Sequence, residues 1–113
     1  MKIETELVNN GAILTVHGKI MIDEEVDDLR LSVENMLKMA AVRTIVLDLG
    51  DVPYVDCAGL GELVRCHTTT GKWGRELALC CLTPKIKDLL AITKLLTVFE
   101  IYDTREEAVA SFS

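Results

Sequence analysis

Aromatic residues are scarce: one Trp, two Tyr and two Phe in 113 residues, 4% of a chain that is half hydrophobic. A core made without rings must be aliphatic, with Leu, Val and Ile packed between a sheet and helices. No apolar run approaches the roughly 18 residues of a membrane span, and MKIETELVNN has no apolar signal region, which points to a cytoplasmic chain. Positive charge is also short. Twelve Lys and Arg face eighteen Asp and Glu, for a net charge of −6, so nucleic acid and anionic membranes are set aside as partners.

Catalytic signatures are missing as well. The chain shows no phosphate-cradling P-loop, no Ser-His-Asp or Cys-His pair that spacing supports, and no metal-ligand cluster. The expectation is a protein that is not an enzyme and that needs no cofactor or metal. Cys57, Cys66, Cys80 and Cys81 lack C-x-x-C spacing, which argues for reduced thiols and against zinc. Cys57 and Cys66, nine residues apart, fall on opposite sides if both lie on one helix. Adjacent Cys80 and Cys81 point to opposite faces if both lie in a strand. Cys66, Cys80 and Cys81 are taken as small packing residues.

The length suits one domain, which buries about two-thirds of its unfolded surface. Ile3 to Val8 alternates as a first strand, and Asn10-Gly11 signals a type I′ hairpin into a second strand, Ala12 to Ile20. His17 within it is read as a structural strand residue. Asp23 to Ala40 carries apolar residues at helical spacing, an acidic first turn and Lys38 near its end. Thr44 to Leu49 is a strand buried on both faces, closed by Gly50 and Asp51. After the segment described next come a strand over Glu76 to Leu82 and a helix capped by Thr83 with Pro84 first. A strand over Thr97 to Tyr102 follows, then a helix started by the Thr104 capping box and packing Val109 and Phe112. Alternation implies parallel pairing of strands two to five, with the hairpin adding the first strand at one side. The fold class is α/β: a mostly parallel sheet of about five strands, an N-terminal β-hairpin and four helices, in one domain over residues 1–113.

One stretch has the look of a site. In VPYVDCAGLG, Pro53 argues for an extended connection from Asp51 to Val55, and Asp56 suits an N-cap that puts Cys57 at the first helical position and Ala58 next. Gly59 and Gly61 each cost a helix interior roughly 1 kcal/mol, so something is expected to pass close to this backbone, an anion or a partner. Leu60, Leu63, Val64 and His67 form the expected inward stripe, which leaves Glu62, Arg65 and Thr69 outward. Gly71 is the expected C-cap, with a turn at Lys72-Trp73-Gly74. A thiol at a helix start is expected to ionise more readily than free cysteine. His67, about 15 Å along the axis from Cys57, is too far away to be its base.

DCAGLG after VPYV, with Glu62-Leu63-Val64 continuing the helix, resembles the signature of the STAS domain family of anti-sigma-factor antagonists, whose loop reads Asp-Ser-Ser/Thr-Gly-Leu-Gly. His17-Gly18-Lys19-Ile20 resembles the family's Gly-Glu-Leu-Asp, and Thr83-Pro84 with Ile86 and Leu89 resembles its third helix start. The likeness covers nearly the whole chain in order. It implies a single-domain STAS-like fold and a binding module that docks on an anti-sigma factor, often a serine protein kinase, and frees a sigma factor for transcription. In the family, phosphorylation of the serine after the motif's aspartate abolishes docking.

The departures are specific. The phosphoacceptor position falls on Cys57 and the next on Ala58, so a serine kinase finds no hydroxyl at either. Lys19 stands at the glutamate of Gly-Glu-Leu-Asp and Met21 at its aspartate, with Asp23 two residues on. The resemblance therefore implies partner switching without the usual switch, with Asp56, Cys57, Ala58, Gly59, Gly61, Glu62 and Arg65 as the partner-binding set. Thr68, Thr69 and Thr70 are the remaining candidate phosphorylation sites. Two alternatives keep the fold: a cytoplasmic STAS subunit of a lipid or anion transporter, and a sensor in which Cys57 is oxidised to a sulfenic acid. Sequence leaves the oligomeric state open.

Overall fold

The computed structural model describes residues 2–20 and 26–111. Strand β1 (Lys2–Val8) turns back through Asn9 and Asn10 into β2 (Gly11–His17), and Val8 pairs with Gly11. The two loop residues are thus Asn9-Asn10, one earlier than the Asn10-Gly11 expectation. Of these only Asn9 takes positive φ, 54°, so the type I′ requirement at both positions is not met. Gly11 is buried inside the strand.

β2 stops at His17 rather than continuing to Ile20, because the register slips between Thr15 and His17 and Gly18 adopts φ of 103°. Helix α1 (Val26–Leu37) ends one residue before Lys38, so that lysine lies beyond its last turn. The expected acidic first turn, Asp23 to Glu25, lies outside the described residues, as does Phe112. β3 (Thr44–Asp51) is the middle strand and extends through Gly50 and Asp51.

Helix α2 (Cys57–Lys72) runs past Gly71 to a C-cap at Trp73. The residue that needs positive φ is Gly74, at 72°, whose N–H reaches the Gly71 carbonyl at 3.0 Å. β4 (Glu76–Cys80) ends two residues early because Cys81 takes φ of 60°. Thr83 caps α3 (Pro84–Ile92), its hydroxyl accepting from the Ile86 N–H at 3.3 Å. β5 is only Glu100–Tyr102; Val98 is held in a preceding turn by a bond from its N–H to the Leu95 carbonyl. Thr104 caps α4 (Arg105–Ala110) by accepting from the Glu107 N–H at 3.1 Å.

The sheet order is β1-β2-β3-β4-β5, antiparallel for the first pair and parallel for the rest. Strands laid down in one direction with crossovers of one hand place their connecting helices on one face. That face is aliphatic: Leu14, Leu47 and Leu79 of the strands pack with Leu29 and Val33 of α1, Leu63 of α2 and Leu90 of α3. On the opposite face the smaller cluster of Ile13, Val46, Ala78 and Cys80 is covered by Ala108 and Val109 of α4. A six-residue helix covers only part of five strands, so that face also carries polar groups. Arg105 reaches the Asp48 carboxylate at 3.3 Å, the Thr15 hydroxyl at 3.0 Å and Glu6 at 3.7 Å.

His17 ties three strands together at this face, its Nδ1 lying 2.5 Å from Asp51 Oδ2 of β3 and its Nε2 lying 2.9 Å from Glu4 Oε1 of β1. The hydrogen bond to Asp51 raises its pKa above 6.5; desolvation opposes the rise and the Glu4 charge adds to it. A raised folded-state pKa means that the tie favours the folded chain fully below pH 6.5 and fades as pH climbs through the raised value. An NMR titration of the His17 ring is expected to give a midpoint above 6.5, lowered in Asp51→Asn; a midpoint at or below 6.5 contradicts the tie.

Candidate docking face at the start of helix α2

The site is built by a short piece of backbone after β2. Ile20 donates its N–H to the Tyr54 carbonyl at 2.9 Å and accepts at its own carbonyl from the Asp56 N–H at 3.1 Å, forming an isolated parallel bridge with Val55. This clamp fixes the extended approach to α2. Asp56 then caps the helix as expected, with φ of −90° and its Oδ1 accepting from the Gly59 N–H at 2.6 Å.

The close backbone approach anticipated at Gly59 is made by the chain itself. A Cβ on Gly59 would lie 2.1 Å from the Ile20 carbonyl oxygen and 2.8 Å from its carbon, so only glycine lets the first turn of α2 rest on Ile20. Gly61 is different: it is exposed, and a Cβ there meets nothing within 4 Å. Of the two glycines, Gly61 is the one open to an external molecule.

The expected seven-residue partner set does not form one surface. Cys57, Gly61 and Arg65 are exposed and follow one another at four-residue spacing, continued by exposed Thr68, so they share one stripe of the helix. Asp56 and Ala58 are half-buried beside it. Gly59 and Glu62 are buried, and neither presents a surface. Glu62, expected outward, faces α1 because that helix packs alongside; its carboxylate lies 3.8 Å from Arg30 Nε and 3.9 Å from Arg65 Nη1. The remaining expectations shift in the same way. Thr69 is half-buried, Val64 is half-buried rather than core, and His67 stands edge-on to Phe99 with centroids 5.3 Å apart.

Beside Cys57 a groove of about 270 Å³ opens between the motif and α3, lined by Tyr54, Val55, Lys85, Leu89 and Ile92 among others. Tyr54 is 41% exposed and Ile92 79%. Lys85 Nζ lies 5.9 Å from the Tyr54 ring centre, a cation over a ring face. Sequence reasoning missed the α3 wall. The available signal was Ile92, an apolar residue off the Ile86-Leu89-Leu90 stripe. The whole arrangement presents a thiol, a bare helix backbone and an apolar groove whose rim carries Lys85 together with Asp56 and Asp88. It is an open surface rather than an enclosed pocket. Among the described residues no helix is long and apolar enough to cross a membrane.

A sequential mixed sheet with three helices on one face, and an Asp-capped helix start at the carboxyl end of its middle strand, defines a STAS-type domain. The STAS domain family profile matches residues 2–108, and the chain belongs to that family. It is 24% identical over 110 residues to the anti-sigma F factor antagonist of Paenibacillus polymyxa, covering 96% of this chain and 94% of that one. It is 34% identical over 70 residues to BtrV, a candidate anti-sigma factor antagonist of Bordetella bronchiseptica, covering 62% and 60% of the two chains. Its fold matches the crystal structure of a candidate anti-sigma factor antagonist from Thermotoga maritima, with TM-score 0.86, 26% identity, and coverage of 96% and 92%.

The two glycines differ in what a Cβ would meet. Gly59→Ala is expected to destabilise the fold by about 1–3 kcal/mol, because backbone must move to admit the methyl group. Gly61→Ala is expected to stabilise it by up to about 1 kcal/mol, the difference in helix propensity. Urea unfolding of both variants checks this, and an unchanged stability in Gly59→Ala contradicts the close contact with Ile20.

Proposed function

We infer that this chain is an anti-sigma-factor antagonist that docks through the Cys57-Gly61-Arg65 stripe of α2 and the adjoining groove, acting as a cytoplasmic binding module and not as an enzyme. The partner is an anti-sigma factor, with a serine-kinase-type protein as the finer assignment. Both curated relatives above carry the antagonist name, and the Paenibacillus protein matches along almost its full length. The observation that carries the reading is the exposure of residue 57 at the first position of an Asp-capped helix, with open backbone at Gly61 and an apolar groove beside it.

A phosphate at that position would put nearly two negative charges on the docking face, where like charge or desolvation dissolves a complex. The helix itself would tolerate them, since its N-terminus favours anions. A charge at residue 57 therefore acts on the partner rather than on the fold. Cys57 and Ala58 offer a serine kinase no hydroxyl, so docking is constitutive with respect to that switch.

Incubation with a cognate anti-sigma kinase and ATP is expected to leave the intact mass unchanged, while Cys57→Ser gains one phosphoryl group. Cys57→Glu is expected to weaken docking by about tenfold or more, about 1.4 kcal/mol, with unfolding stability held. A phosphoryl adduct on the native chain at Cys57 or at Thr68, Thr69 or Thr70 overturns the constitutive reading. Full docking by Cys57→Glu overturns the placement of the face.

A further inference from the structure

The α4 face of the sheet carries a thiol pair that plays no part in docking. Asp48 of β3 and Cys80 of β4 are register partners in the parallel ladder, so their side chains leave the same face. Strand geometry continued to residue 81 would send its thiol to the other face, as the sequence suggested. The structure corrects that expectation. Cys81 takes φ of 60°, a left-handed backbone that is unfavourable for a residue with a Cβ, and its thiol joins Cys80 and Asp48 on one side. The three candidate ligand atoms lie within 4.8 Å of one another.

We propose that Asp48, Cys80 and Cys81 together bind a thiophilic divalent cation of the zinc class. Zinc takes thiolate sulfur at about 2.3 Å and carboxylate oxygen at about 2.0–2.2 Å, so tetrahedral ligand atoms stand about 3.5–3.8 Å apart. Ligand atoms within 4.8 Å of one another have to contract by at most about 1 Å to reach that spacing. Three protein ligands leave a fourth position open.

With Glu6 counted, the loaded site and its surroundings carry a net charge of −1. On binding, each thiol gives its proton to solvent, and two thiolates with the Asp48 carboxylate supply three negative charges. The ion supplies two positive charges, and the Arg105 guanidinium, 3.3 Å from Asp48 Oδ2, supplies the third, with Glu6 3.7 Å from its other side. No electron changes hands. Burial pushes the pKa of both thiols up and the Asp48 charge adds to it, whereas a bound cation favours the thiolates.

The supporting shell is in place. The Gly50 N–H donates to Asp48 Oδ1 at 3.0 Å while Arg105 holds Oδ2, which orients the carboxylate and leaves it lone pairs to offer. An ion can approach past Cys81, which is half-buried, and past exposed Gly50. A Cβ on Gly50 would lie 3.2 Å from Asp48 Oδ1 and 3.3 Å from the Cys81 Cβ, so its absence keeps that side open.

The test uses cadmium as a spectroscopic stand-in, in a Cys57→Ser chain kept reduced so that the exposed thiol does not contribute. The expected result is a thiolate-to-cadmium charge-transfer band that saturates at one equivalent with two protons released per ion, and its displacement by zinc. Cys81→Ser is expected to weaken binding by more than the roughly 10–100-fold that loss of an outer-shell partner costs, and Asp48→Asn to weaken binding while keeping the band. No band in excess cadmium overturns the site, and so does a band that survives unchanged in Cys81→Ser. The first titration keeps all three ligands native, so its outcome does not depend on whether either ligand variant folds.

Discussion

The placement of α2 depends on one backbone contact, the Ile20 carbonyl lying beneath the first turn of the helix. That oxygen accepts from the Asp56 N–H and sits where a Cβ of residue 59 would be. A helix start has unpaired N–H groups and needs a cap. Here the capping aspartate is itself held by the strand-like segment after β2, so the orientation of α2 is set together with the carboxyl ends of β2 and β3. Cys57, immediately after the cap, is exposed, with α3 forming the other wall of the groove.

The two faces of the sheet solve different problems. The face under α1, α2 and α3 excludes water with aliphatic side chains and carries the larger of the two clusters of buried apolar residues. Among the described residues the other face has only α4 for cover, so acidic residues remain on it and must be neutralised. Arg105 does this, bridging β1, β2 and β3 through Glu6, Thr15 and Asp48. A nearly buried carboxylate without such a partner would be costly. This polar network also gathers Cys80 and Cys81 around Asp48, on the face away from the aliphatic core.

Element types and their order were legible because short-range physics sets them. Alternation marked β1, helical spacing marked α1 and α2, and Thr83, Thr104 and Asp56 each cap the helix they were expected to cap. The errors fall at ends. β2, β4 and α2 stop where Gly18, Cys81 and Gly74 take positive φ, and no single-residue preference marks a cysteine for that conformation. Glu62 and Arg65 carry opposite charges three residues apart, as any solvated helix face does. Only the placement of α1 beside α2 makes one of them buried.

By itself the sequence determined an aliphatic α/β domain, the Asp-capped start of α2, and a thiol in place of a hydroxyl at residue 57, because composition, periodicity and capping are local properties. Tertiary structure alone decided that Gly59 serves the chain's own backbone while Gly61 faces outward, that α3 walls a groove beside Cys57, and that Cys80 and Cys81 share a face with Asp48. Those outcomes depend on which distant segments come within a few ångströms of one another, and local spacing along the chain does not encode that distance.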